Sequence, residues 1–210
     1  PPLGVHGAIP RMDEAGWLVT VNHYSRPGFK AWWIPMAIAT VMPCEVHWVM
    51  TDTLTYPDRM RSATITPVSR WLLRRISRLY DFSPMPPMPP RPLEIEARAV
   101  AVRRVLHYVE HTRRPVVGLA PEGGDTPGSV LTRPASGSGR FIALLVRRGL
   151  RVLPLGAYEQ DGAFCLSIGS PFDPSPAVSG TAEERDRRMA DQIMEAIARC
   201  MPDRLRGIYA

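Results

Sequence analysis

His23 is the side chain in this sequence best placed to move a proton. It follows an apolar, β-branched run, Trp17 to Val21, and is itself followed by Pro27 and Gly28. A run that short, closed by turn residues, predicts a buried strand delivering a polar tip to a surface turn. In α/β proteins chemistry gathers just past the carboxyl ends of strands. Histidine, with an ordinary pKa of about 6.5, exchanges protons at neutral pH. The plain alternative is a histidine that only caps its turn. A second stretch has the same grammar: the apolar run Pro115 to Ala120, then Pro121-Glu122-Gly123-Gly124-Asp125 with two carboxylates. Glu122 also has a plain alternative, holding backbone amides of a neighbouring element. A third stretch, Arg151 to Gly156, is a short apolar strand containing Pro154.

The elements that must position these residues alternate between strand and helix. Residues 1–15 are a lead-in of strand or coil. Phe29 to Val41 reads as an apolar helix with Pro35 near its start, and Glu45 to Met50 as a strand. Thr51 to Pro67 is polar and turn-rich. Ser69 to Tyr80 reads as an amphipathic helix with Arg70, Arg74, Arg75 and Arg78 and no acidic residue. Such a helix either lies on an anionic membrane or is an ordinary solvated one. Residues 84–92 hold six prolines, predicting a stiff extended connector rather than a helix or central strand. Helices follow at Ile95 to His111 and Gly139 to Arg148, the latter stopped by Gly149. A strand at Val152 to Leu155 leads through Asp161-Gly162, a hairpin signal, to Phe164–Ile168. Residues 181–200 form a last helix, opened by a Thr181/Glu184 capping box and buried through Met189, Ile193 and Ile197. Its charged stretch, Glu183 to Arg188, reads as a solvated face. This order implies a single α/β domain over 1–210, with a mixed, largely parallel central sheet flanked by helices.

Composition narrows the partners. At 210 residues with 45% hydrophobic side chains, the chain can bury a full core. The net charge of +6 suits nucleic acid, an anionic membrane or an anionic substrate. No zinc spacing and no interleaved aromatic-basic pattern is present, which disfavours nucleic acid. Cys44, Cys165 and Cys200 are odd in number and far apart, arguing for a reducing compartment. No stretch reaches the ~18 uninterrupted apolar residues of a spanning helix. His107 and His111 have i, i+4 metal spacing, but no third ligand is evident, so no metal is expected.

The three stretches, in order, resemble the glycerolipid acyltransferase family of the 1-acylglycerol-3-phosphate acyltransferase type. That family carries Asn-His-x-x-x-x-Asp, then Phe-Pro-Glu-Gly-Thr-Arg, then a short apolar strand with a proline. Asn22-His23 and Pro121-Glu122-Gly123 match, and the resemblance runs from about Gly16 to Tyr158. It implies a family-like fold and a reaction in which a base takes the proton of an acceptor hydroxyl. That oxygen then attacks a thioester, with acyl-CoA or acyl carrier protein as co-substrate and no other cofactor. The resemblance makes His23 the base. It places Asn22, Ser25, Arg26, Gly28, Pro121, Gly123 and Gly124 in the substrate-binding turns, and Arg91 as a phosphate-binding cation. The implied setting is peripheral contact with an anionic membrane at its cytoplasmic face.

Two departures matter. Gly28 stands where the family's orienting aspartate belongs, and Gly124-Asp125 replaces its phosphate-binding Thr-Arg. Either Glu122 or Asp125 supplies the missing carboxylate, or the chain is a binding relative with impaired chemistry. An aspartate in the arginine's place repels a phosphate, which implies a neutral alcohol, a sugar lipid or a zwitterionic lysolipid as acceptor. A thioesterase, with water replacing the alcohol, is a further reading that uses the same base. Gly123 to Gly128 reads either as a mobile cover or as plain loop.

Overall fold

The computed structural model describes residues 2–29, 32–52, 59–80, 82–87, 92–124, 127–175 and 177–210. Its strands are β1 (Leu3–His6), β2 (Gly16–Val21), β3 (His47–Thr51), β4 (Ser83–Met85), β5 (Val116–Leu119), β6 (Leu150–Gln160) and β7 (Ala163–Ile168). Its helices are α1 (Trp33–Val41), α2 (Arg59–Leu79), α3 (Ile95–His111), α4 (Ser138–Val146) and α5 (Ala182–Ala198). The strands form one seven-stranded sheet in the order β1-β7-β6-β2-β5-β3-β4. Every neighbouring pair is parallel except β6 and β7, joined by the tight turn at Asp161-Gly162. The expected mixed, largely parallel sheet is therefore present.

Alternation along β2 explains why it lies centrally. Trp17, Val19 and Val21 face one core, with Ile34 and Ile38 of α1 and Leu153 and Leu155 of β6. Leu18 faces the other, with Val105 of α3, Ile142 of α4 and Ile193 and Ile197 of α5. A strand buried on both faces needs apolar residues at every position, and that is what 17–21 supplies apart from Thr20.

Four expectations need correction. Helix α2 begins at Arg59, so 59–67 is not turn; Pro67 lies inside the helix. Arg59, Met60, Arg61 and Ala63 favour helix, and they outweigh the turn-prone serine and threonines among them. The 53–58 part of that segment lies outside the described residues. Strand β6 runs eleven residues rather than four, because β2 and β7 pair with successive stretches of it. Within 84–92, Pro84 and Met85 pair with β3 as an edge strand, the position where proline is tolerated. Finally, Asp186 is buried rather than on a solvated face. Its carboxylate accepts the Gly137 N–H at 2.7 Å and the Arg140 N–H at 2.6 Å, closing the start of α4. The two helices approach so closely that a Cβ at Gly139 would lie 1.9 Å from the Asp186 carbonyl oxygen. Asp186→Ala is expected to cost roughly 2 kcal/mol by leaving two part-buried N–H groups without a charged acceptor. Urea unfolding measures this, and a loss under about 0.5 kcal/mol would remove the capping role.

Candidate active site

Strand register brings the two chemical turns together. β2 and β5 are parallel neighbours with Thr20 opposite Leu119. His23 and Glu122 each lie three residues past that rung, at the same carboxyl end of the sheet. Asn22 ends β2 by using its side chain as another peptide group. Its amide donates to the Ala157 carbonyl at 2.9 Å, and its oxygen accepts the Ala157 N–H at 2.7 Å. Asn22 is 1% exposed, so its amide is given to the β6 backbone. The Tyr24 N–H then donates to the Asn22 carbonyl at 3.1 Å, which puts the half-buried His23 at the apex of a three-residue turn.

Glu122 secures that apex from β5. One carboxylate oxygen accepts the His23 backbone N–H at 2.8 Å, and the other accepts the Thr132 N–H at 3.1 Å. Burial pushes the Glu122 carboxyl up to about 7, against the downward pull of these two bonds. Both oxygens thus serve backbone groups, and Glu122 is a positioning residue in this arrangement. The segment after it adds a second tie. Ser129 is buried, holds a left-handed φ of +59°, and donates its hydroxyl to the Ser25 carbonyl. A non-glycine residue held in that conformation costs about 1–3 kcal/mol and persists only where its surroundings enforce it. The Leu131 N–H donates to the Leu205 carbonyl at 2.9 Å, so the chain's last turns brace the same segment.

Gly28 has a structural reason. The Phe29 N–H donates to the Arg26 carbonyl at 3.0 Å across Pro27-Gly28, and Gly28 has φ +82°. Proline at the second position and left-handed glycine at the third define a type II turn. Space is not the obstacle, since a Cβ there would meet only the Arg26 guanidinium at 3.7 Å. Gly28→Asp is therefore expected to cost about 1 kcal/mol from backbone conformation alone. It is expected to give no gain in activity, because the new carboxylate arises beside Arg26; a rise in turnover would contradict this. Arg26 already pairs in fork geometry with Glu159, at 2.5 and 2.6 Å, and the Tyr24 hydroxyl donates to the same carboxylate at 3.3 Å. The Arg26 guanidinium holds the Glu159 carboxyl below the usual carboxylate range.

An apolar cavity of about 170 Å³ opens beside the second turn. Pro121 and Gly123 form one end, and Val49, Val102, Leu119, Phe141 and Ile142 form the walls. Arg98 closes the β4 side by donating to the Pro86 and Pro87 carbonyls at 3.1 and 2.9 Å. The cavity is smaller than the ~300 Å³ and upward of drug-sized pockets, and its lining suits a segment of hydrocarbon chain.

Of the expected site residues, the structure brings together Asn22, His23, Ser25, Pro121, Glu122 and Gly123. Arg26 and Gly28 lie on the same turn, where Arg26 pairs with Glu159 and neither residue lines the cavity. Gly124 is described but has no neighbour within 4 Å of where its Cβ would stand. Asp125 and Arg91 lie outside the described residues. Sequence reading missed Ser129, Thr132, Glu159 and Arg98. The Pro127-Gly128-Ser129 sequence does signal a turn, but nothing local says which carbonyl that serine would reach. The paired rings of His107 and His111 lie on α3, where His111 Nδ1 contacts the His107 carbonyl at 2.9 Å.

The fold is a single α/β domain whose largely parallel sheet carries both turns at one end. No protein-family model matches the chain, and no curated protein matches it either. Among solved structures, it is similar to the crystal structure of the 1-acyl-sn-glycerophosphate (LPA) acyltransferase, PlsC, from Thermotoga maritima. That likeness has a TM-score of 0.55 at 17% identity and covers 94% of this chain and 71% of the other.

Proposed function

We propose that this protein is an acyltransferase moving a fatty acyl group from a thioester, acyl-CoA or acyl carrier protein, onto the hydroxyl of a lipid-like acceptor. The observation that carries the reading is the shared register that joins the His23 turn to Glu122, whose neighbours Pro121 and Gly123 line an apolar cavity. The fold likeness to a lysophosphatidic acid acyltransferase supports it. In the proposed step His23 takes the proton of the acceptor hydroxyl as its oxygen attacks the thioester carbonyl. A C–O bond forms, the C–S bond breaks, and the proton passes to the leaving thiolate. The chain's own residues supply the base and its position.

Glu122 is committed to backbone groups, so the carboxylate that orients the imidazole is assigned to Asp125. With aspartate rather than arginine at that place, the acceptor is proposed to be a neutral alcohol, a sugar lipid or a zwitterionic lysolipid. Arg91 is retained as a candidate cation for the acceptor's head group. The lipid acceptor implies work at an anionic membrane, and the free cysteines Cys44, Cys165 and Cys200 fit its cytoplasmic face. No helix among the described residues is long and apolar enough to cross a membrane.

The test is thiol release from a panel of acyl thioesters with and without candidate alcohols. Acceptor-dependent release is expected. Release that ignores the acceptor would indicate a thioesterase. Tight acyl binding without release would indicate a binding relative, the outcome that the glycine turn at Gly28 favours.

A further inference from the structure

Helix α2 carries a second apolar stripe that faces outward. Val68, Trp71 and Leu79 are 62%, 64% and 72% exposed, and Leu72 is 47% exposed. Their spacing places them on one stripe of the helix. The opposite face holds half-buried Leu73 and Ile76 and buried Ser69 and Ser77, whose hydroxyls donate to the Thr66 and Arg74 carbonyls at 2.9 Å each. A helix made only to cover its own core needs no outward stripe of this kind. Contiguous exposed apolar side chains of this size mark an interaction surface.

Charge identifies the partner. Residues 59–80 contain six arginines and no aspartate or glutamate. Arg75 and Arg78 project beside the apolar stripe, and a shallow groove there is lined by Pro67, Trp71, Arg74, Arg75 and Arg78. Tryptophan and leucine interleaved with arginine match the two layers of a bilayer interface, acyl boundary and anionic head groups.

We propose that this face of α2 docks on an anionic lipid bilayer. The choice of a bilayer rests on the acyl-transfer reading; the surface itself does not. Docking there has a consequence for the site. Arg74 pairs with Asp52 at 3.0 Å, just past β3, and the Asp52 N–H donates to the Met85 carbonyl at 2.9 Å. Met50, Thr51 and Met85 line the apolar cavity. A bilayer held on the outer face of α2 is therefore one helix away from the strand pair that lines the cavity.

Sedimentation of the full chain with vesicles tests this. Binding is expected to vesicles containing phosphatidylglycerol, to weaken with added salt, and to be slight on pure phosphatidylcholine. The double substitution Arg75→Gln/Arg78→Gln is expected to weaken binding about thirtyfold, each cation contributing roughly fivefold at the surface. Trp71→Ser is expected to weaken it while leaving the helical circular dichroism signal and any thiol release with a short, water-soluble substrate pair unchanged. Three results would overturn the proposal: no binding to phosphatidylglycerol vesicles, binding that none of these substitutions alters, or an oligomer that Trp71→Ser disperses. Vesicle binding needs no turnover, so loss of the acyl-transfer reading and loss of this surface are separately visible.

Discussion

Replacing His23 with alanine is expected to lower acyl transfer by about 10² to 10⁴-fold, the contribution of a positioned general base. Stability is expected to change little. The imidazole is half-buried, and the bond from the residue-23 N–H to Glu122 does not need the side chain. Thiol release and the urea midpoint, measured on one preparation, separate the two effects. Undiminished release in the variant would sink His23 as base. Asp125→Asn extends the test to the orienting carboxylate. In the protease triad, breaking the equivalent aspartate costs about 10⁴ in turnover. If Asp125 serves His23, the double variant is expected to be no worse than His23→Ala, because residues acting as one unit are not additive. Additive losses would separate them.

The layered architecture was legible because period and punctuation agree along most of the chain. The run 17–21 is apolar on both faces, Asp161-Gly162 forces a hairpin, and Thr181 with Glu184 caps its helix reciprocally as expected. The adjacency of β2 and β5 was not legible, since nothing in two apolar runs a hundred residues apart specifies that they pair. Without that pairing, His23 and Glu122 are only two turns. The side chains that hold the turns were hidden for the same reason. Ser129 acts on Ser25 and Glu159 on Arg26, each across more than a hundred residues of sequence. Asp186 was misread because a charged run on an amphipathic helix predicts solvent. It points instead at the start of α4, where two backbone N–H groups need an acceptor. The outward stripe of α2 was half visible. Its arginines were plain, but which stripe faced outward depended on the strands beneath it.

Glu122 should make the protein's pH response measurable in two ways. Its carboxyl is raised by burial from 4.5 to about 7. Between those values the unfolded chain has released a proton that the folded chain still holds. Stability on this residue's account therefore falls as pH rises through that window, by on the order of 3 kcal/mol in all, and levels off above it. Glu122→Gln removes this slope. It also replaces one acceptor oxygen with an NH₂ group facing either the His23 or the Thr132 N–H, at a cost of about 1–3 kcal/mol. Urea unfolding at pH 5 and pH 8 should thus show a pH-dependent loss in the wild type that is absent from the variant. Catalysis should move the opposite way. The ionised carboxylate is the form that accepts both N–H groups fully, so the His23 turn is held best above pH 7. The acid limb of kcat/KM should accordingly carry a contribution from Glu122 in the wild type. In Glu122→Gln that contribution should vanish, with turnover reduced throughout. Equal slopes in both proteins, together with equal pH dependence of unfolding, would mean that Glu122 keeps one charge state across the range and serves only as a fixed brace between β5 and the histidine turn.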